Sequence, residues 1–251
     1  MQGNITIIPI PIAKNVEEKD DLAQLLVDSF AKNYITPQEH DVIVITQKIV
    51  SKAEGRIIDL TTITPSVFAQ QIAKKYKKDP RYVEVVLQET KRIVRMDHGI
   101  IISETHHGFI CANAGVDASN VGKKNAAALL PKDPDASAKA LSETLYKKYK
   151  LPIGVIISDT WGRPWREGQV NFAIGSSGIE VLRDYVGQYD PHGYELKVSL
   201  IAVADELAAA AELVMGKIDN VPVALIRGFT VKNTSQTGKD LMRNSKKDLF
   251  R

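Results

Sequence analysis

With 251 residues, 44% of them apolar and 25% charged, the chain has the balance of an ordinary globular protein, long enough for one large α/β unit or for two lobes. The single cysteine, Cys111, excludes a disulfide framework and a thiolate zinc site and fits a reducing, cytoplasmic setting. The net charge of +3 belongs to the C-terminus, where residues 232–251 hold six Lys or Arg against two Asp, a segment expected to be solvated.

The opening, MQGNITIIPIPIAKNVEEKDD, has no basic start and its apolar run is broken by Pro9 and Pro11, so neither a signal peptide nor a membrane span is expected. Residues 5–10 read as a strand. Asn15-x-x-Glu18 then supplies a capping-box pattern for a helix with Leu22, Leu25, Leu26 and Phe30 on one face. DVIVIT (41–46) suits a buried strand and runs into a short helix ending near Gly55. Pro65 and Pro80 each mark a first helical turn, which predicts helices over 65–78 and 80–90. Residues 91–111 read as a strand meander punctuated by Asp-His-Gly and His-His-Gly, followed by the loop NAGVDASNVG.

A helix is expected over 135–149, a strand over 151–158, and a polar loop from there to Gln169. QVNFAIG and YELKVSLIAVA read as strands, DELAAAAELVMGK as a helix and VPVALIRGF as a last strand. The order predicts an α/β (mixed α+β) body over 1–231, with a second lobe within about 65–150 and a basic tail over 232–251.

Three polar stretches lie at strand ends, where α/β proteins tend to place ligands. In CANAGVDASNVG, Asp117 is suited to a hard cation and Asn120 to hydrogen bonding with a sugar or base, although Asx turns use the same residues. In SDTWGRPWREGQ, Asp159 and Thr160 leave a hydrophobic strand, Arg163 and Arg166 could clamp phosphate or carboxylate groups, and both tryptophans of the chain fall within five residues. In ADELAAAAELVMGK, Asp205, Glu206 and Glu212 sit on an otherwise apolar helix that ends at Gly216-Lys217. Thr46, Gln47, Lys48 and Lys52 cross a strand-to-helix junction that could face an anion. A Walker-type loop, a G-x-G-x-x-G fingerprint and an H-E-x-x-H pair are all absent from the sequence.

HGFICANAGVDASNVG, SDTWGRPWREGQ, AIG at 173–175 and AVADELAAAAELVMGK, taken in that order, resemble the coenzyme F420-0:L-glutamate ligase family. Weaker agreement at PIPI, VSKAEGR and VPVALIRG carries the resemblance to about Phe229. It implies a two-lobed protomer in an intertwined homodimer. It also implies a GTP-dependent, GDP-forming ligase that joins L-glutamate to F420-0 through an acyl phosphate, with two divalent ions, Mg2+ or Mn2+, and K+ as a further cation.

By the same resemblance Asp117 and Asp159 bind the first metal, Thr160 and Glu212 the second, and Asn120 contacts GTP. Ile10, Pro11, Ile12, Ala13, Gln47, Lys48, Lys52, Ala210, Ala211, Glu212, Leu213, Val214, Met215, Gly216 and Lys217 form the rest of the nucleotide site. Arg163 and Arg166 then take phosphate or substrate carboxylate. Two alternatives stand beside this reading: the same chemistry on a folate-like acceptor, and a nucleotide- or RNA-binding protein that uses the basic tail. The leading reading expects no membrane and no nucleic-acid partner.

Overall fold

The computed structural model describes residues 4–119, 121–122, 124–230 and 232–248. Strand β1 (Thr6–Ile10) leads through a turn to helix α1 (Leu22–Lys32). The cap of α1 is Asp21, whose carboxylate accepts the Gln24 N–H. The expected Asn15–Glu18 box does not form, because Asn15 accepts from Lys52 and the turn is closed by Asp20 accepting the Glu17 N–H. Strand β2 (Val42–Thr46) is buried over its first four residues and passes directly into α2 (Gln47–Ala53).

Strand β3 (Ile57–Asp59) precedes α3 (Val67–Tyr76), capped by Ser66, and α4 (Pro80–Gln88), capped by Asp79 with Pro80 in its first turn. The expected meander follows as β4 (Thr90–Asp97), β5 (Ile100–Thr105) and β6 (Ile110–Ala112), an antiparallel three-stranded sheet. Strand β7 (Ala126–Ala128) pairs with β3. Next come α5 (Pro134–Tyr149), β8 (Gly154–Arg163), β9 (Arg166–Ser177), the two-residue strands β10 (Arg183–Asp184) and β11 (Leu200–Ile201), α6 (Val203–Met215) and β12 (Val223–Arg227).

The main sheet has the order β1-β12-β2-β8-β9, with β2 and β8 parallel and the other neighbours antiparallel. Alternation along the strands sends Ile43, Ile45, Val155 and Ile157 to one face, under α1, α2 and α5, and Val42, Val44 and Ile156 to the other, under α6. A second core of Leu60, Ile72, Val83, Val86, Ile101 and Leu129 lies beneath α3, α4 and the meander. Helix α5, expected within the 65–150 stretch, contributes Ala138, Leu141 and Leu145 to the first core instead. Among the described residues no helix is long and apolar enough to cross a membrane.

Three expectations are corrected. The polar loop from 158 to 169 is a hairpin, since β8 continues to Arg163 and β9 begins at Arg166. YELKVSLIAVA is not a long strand: Leu200–Ile201 pairs with β10, and residues 194–199 are joined to 185–190 by a single bridge, Tyr189 to Glu195, and scattered backbone bonds, with Tyr194 and Val198 standing 73% and 88% exposed. The basic tail is docked in part: residues 234–238, with Leu241 and Met242, pack on the body, while Lys232, Lys239, Arg243, Lys246 and Lys247 are exposed as expected. Thr234 donates to the Ile179 carbonyl, Gln236 accepts from Val181 and Leu182, and the Gly238 N–H reaches the buried Asp135. A Cβ on Gly238 would lie 2.9 Å from the Gly175 Cα, so glycine at 238 permits the tail to meet β9, while a Cβ on Gly175 would run into Pro134.

Candidate active site

Register brings four distant stretches to one end of the main sheet. Thr46 closes β2 opposite Ser158 of β8, Ile45 pairs with Val223 of β12, and Val223 pairs with Ile10 of β1. Residues 10–13, 47–52, 158–160 and 216–222 therefore share the end at which the parallel strands finish.

One cluster lies between the two cores. Asp117 is fixed by a bridge to Ala128, with its N–H and carbonyl bonded at 2.9 and 2.8 Å. Its carboxylate accepts the Ser119 N–H at 2.7 Å and meets Lys48 Nζ at 2.8 Å, while the same ammonium donates to the Ser119 carbonyl at 3.1 Å. Asp159 faces this pair and accepts the Trp161 indole N–H at 2.7 Å. Burial pushes the Asp159 carboxyl up to about 6; the Trp161 and Thr160 N–H groups oppose that rise, the Asp117 charge adds to it, and Lys48 again opposes it. Burial acts in the same direction on Asp117, but its bonds from Lys48 and Ser119 outweigh it and hold that carboxyl below the usual range. The two acids are thus tuned apart by their donors.

The second cluster forms around the next residue. Thr160 Oγ1 donates to Asn171 Oδ1 at 2.6 Å, Asn171 Nδ2 donates to Glu212 Oε2 at 2.9 Å, and Lys217 Nζ lies 2.5 Å from Thr160 Oγ1 and 3.2 Å from Glu212 Oε1. Gly216 closes α6 at φ 60, ψ −172, a conformation essentially restricted to glycine, and so turns Lys217 back toward the helix that precedes it. Glu206, on the same helix, is exposed and outside the cluster, whereas Asp205 accepts the Ala173 N–H beside the β8–β9 bulge.

The remaining predicted residues divide. Lys52 donates to Asn15 at 3.0 Å, and its pKa is lowered by burial and then by Lys48 nearby. Ile10 is buried, Ile12 packs on the first core, and Pro11 and Ala13 are exposed beside them. Gln47 is buried with its oxygen held by Ser51, so it is turned inward. Ala211 and Met215 are core residues, Ala210 and Val214 are half-buried, and Leu213 is exposed. Arg163 donates to the Glu167 carbonyl at the hairpin tip, opposite the exposed Arg166 and ~13 Å along the strand from Asp159, so neither arginine joins the clusters. Asn120 lies outside the described residues.

Sequence reasoning missed Asn171 and the role of the Trp161 N–H. The register that sets Asn171 opposite Thr160 carries the first, and no local pattern signals it. A groove of about 630 Å3 beside Tyr146, Lys150 and Pro152 lies at the other end of the sheet, away from both clusters.

The first cluster offers two carboxylates and the Ser119 carbonyl around Lys48, and the second a carboxylate, a hydroxyl and an amide oxygen around Lys217; these oxygens are matched to hard cations such as Mg2+ or Mn2+. Among the described residues no group of three or more His, Cys, Asp or Glu converges. The donor set therefore fits an ion that shares one or two carboxylates with water and substrate phosphates, as magnesium commonly does.

A family model described as F420-0:Gamma-glutamyl ligase matches residues 11–228. The chain is similar to proteins named coenzyme F420:L-glutamate ligase from three organisms. Identity is 43% with that of Methanopyrus kandleri, covering 98% of each chain, and 44% with that of Methanothermobacter thermautotrophicus, covering 98% of this chain and 99% of the relative. It is 47% with that of Methanocaldococcus jannaschii, covering 85% of this chain and 86% of the relative.

Proposed function

The chain belongs to the F420-0:gamma-glutamyl ligase family, and from that premise we propose that it joins L-glutamate to coenzyme F420-0 in a GTP-dependent, GDP-forming reaction. The observation that carries this reading is the convergence of Asp117, Asp159 and Lys48 between the two cores. Asp117 and Asp159 would hold one divalent cation and Thr160 with Glu212 a second, Mg2+ or Mn2+, with K+ as a further cation. Such ions neutralise phosphate charge and align phosphoryl donor and acceptor.

The chain's own groups supply the rest. Lys48, Lys52 and Lys217 bind the phosphates of GTP, with the loop at residues 10–13 and the end of α6 beside them. The acceptor carboxylate attacks the γ-phosphorus and GDP leaves, giving an acyl phosphate. The amine of glutamate then attacks the acyl carbon, phosphate leaves with the bonding electron pair, and the amine proton passes to solvent as the amide forms. Position and electrostatics carry the rate, and no covalent nucleophile is required.

The outward apolar side chains of the 183–201 ribbon, Val186, Tyr189, Tyr194 and Val198, support a homodimer. Incubation with F420-0, L-glutamate, GTP and Mg2+, followed by product mass and GDP release, tests the reading. Glutamyl addition that requires F420-0 is the expected result. Turnover triggered by a folate and not by F420-0 would move the assignment to the folate-like acceptor, and absence of turnover with either would remove the ligase assignment.

A further inference from the structure

Trp161 touches the first carboxylate cluster without being able to act as a ligand. An indole nitrogen only donates, and this one donates to Asp159 Oδ2 at 2.7 Å. Asp159 and Trp161 are two residues apart on β8, so alternation turns both side chains to the sheet face under α2. The ring is held on two sides: Phe109 lies at 5.5 Å between centroids, tilted, and Phe172 at 5.7 Å, stacked. Phe109 is buried and itself stacks on His107 at 5.6 Å. An aromatic wall therefore fixes the indole, and the indole fixes one oxygen of the carboxylate.

We propose that Trp161 is a positioning residue that locks the Asp159 carboxylate, through Oδ2, in the orientation in which it faces Asp117. The proposal rests on the reading of Asp117 and Asp159 as a cation site. Packing explains the ring but not the bond, since a phenyl group would also lie between Phe109 and Phe172 and could not donate. A carboxylate free to rotate would have to be ordered again at each binding event, whereas one already held by a charge-assisted hydrogen bond is preorganised.

The test reads cation binding directly, on the full chain without acceptor. Free Mn2+ is titrated by electron paramagnetic resonance against the wild type, Trp161→Phe and Trp165→Phe. The expected result is a weakening of ~10-fold or more in Trp161→Phe, the scale seen when a group supporting a metal ligand is lost, with Trp165→Phe at wild-type affinity. Because the chain has two tryptophans, Trp165→Phe leaves Trp161 as the only indole, and bound paramagnetic Mn2+ should quench its fluorescence with the same Kd. Wild-type Mn2+ affinity in Trp161→Phe would overturn the positioning role, and so would Trp161 fluorescence unchanged by bound Mn2+. If the wild type binds no Mn2+, the cation reading falls and this proposal with it, so the two failures are distinguishable. If Trp161→Phe does not fold, Trp161 fluorescence unchanged by bound Mn2+ still overturns the proposal.

Discussion

Lys48 Nζ lies 2.8 Å from Asp117 Oδ2, and this ion pair joins α2 of the first core to a loop anchored in the second. The Asp159 carboxylate stands beside it, so the charge balance of the site depends on both cores keeping their places. Asp117→Asn and Asp159→Asn each delete a charge and keep the shape. Each is expected to lower kcat/KM for GTP by ~100-fold or more. The Lys48–Asp117 pair is partly solvated, so the stability of Asp117→Asn should stay within about 1 kcal/mol of the wild type in urea unfolding. Unchanged turnover with saturating Mg2+ would count against the cation assignment.

Gly216 decides where Lys217 points. Gly216→Ala forces a Cβ into φ 60, ψ −172 and should cost about 1–3 kcal/mol of stability. A chain that relieves the strain by moving Lys217 away from Thr160 and Glu212 should show a higher KM for GTP. Urea midpoints and steady-state kinetics on the same preparation check both effects.

Asp135 accepts N–H groups from Ser176 at 2.9 Å and Gly238 at 2.7 Å, tying the N-terminal turn of α5 to β9 and to the C-terminal segment. Asp135→Ala leaves two buried donors without partners, at about 1–3 kcal/mol each. Limited proteolysis should then cut within 232–248 faster than in the wild type. Equal cutting rates would show that the segment is held by its other contacts alone.

The Cys111 thiol is pushed up to about 12 by burial, with the charge of Asp159 adding to the rise and the Gly115 backbone opposing it. Only the thiolate is reactive, so the native chain should resist alkylation at pH 8 and react fully in denaturant. Rapid native labelling would contradict the burial of this residue.

Acid should loosen the second core first. Within it Glu104 is held below 4.5 by Arg92 and Lys91, Glu84 below 4.5 by Ser66, Asp79 below 3.8 by Arg81 and Asp97 below 3.8 by the His98 N–H. A depressed carboxyl contributes stability above its unfolded pKa and loses it as pH falls through the folded one. In the first core Asp20 is lowered, whereas Asp159 and Asp205 are raised by burial, and those two contribute more as pH falls. Hydrogen exchange below pH 4.5 should show the β4–β5–β6 amides losing protection before those of β2 and β8. The reverse order would refute the assignment of acid sensitivity.

Much of the architecture is local and could be read from the chain. β-Branched runs mark β2, β8 and β12, Pro80 marks the start of α4, and the alanine-rich apolar stripe marks α6. The same is true of Asp117, Asp159, Thr160 and Glu212 as chemically capable residues, because hard oxygens at strand and helix ends stand out in an apolar setting. Cap choice was less legible: Asn15 and Asp21 are both competent caps, and the contact of Asn15 with Lys52 decides between them.

Period alone cannot say which strand lies beside which. The parallel pairing of β2 with β8, the placement of Asn171 opposite Thr160, and the return of residues 232–238 onto β9 and α5 all join residues far apart in sequence. YELKVSLIAVA shows the same limit from the other side, since its alternation suits a long strand, whereas its bonds to residues 183–190 are too irregular to make more than the two-residue β11. The sequence by itself determined which residues could form elements and which could do chemistry, because propensity, burial and side-chain type are local properties. Only the tertiary structure decided which carboxylates face one another and which donors tune them, because register and the meeting of the two cores are settled by packing across the whole chain.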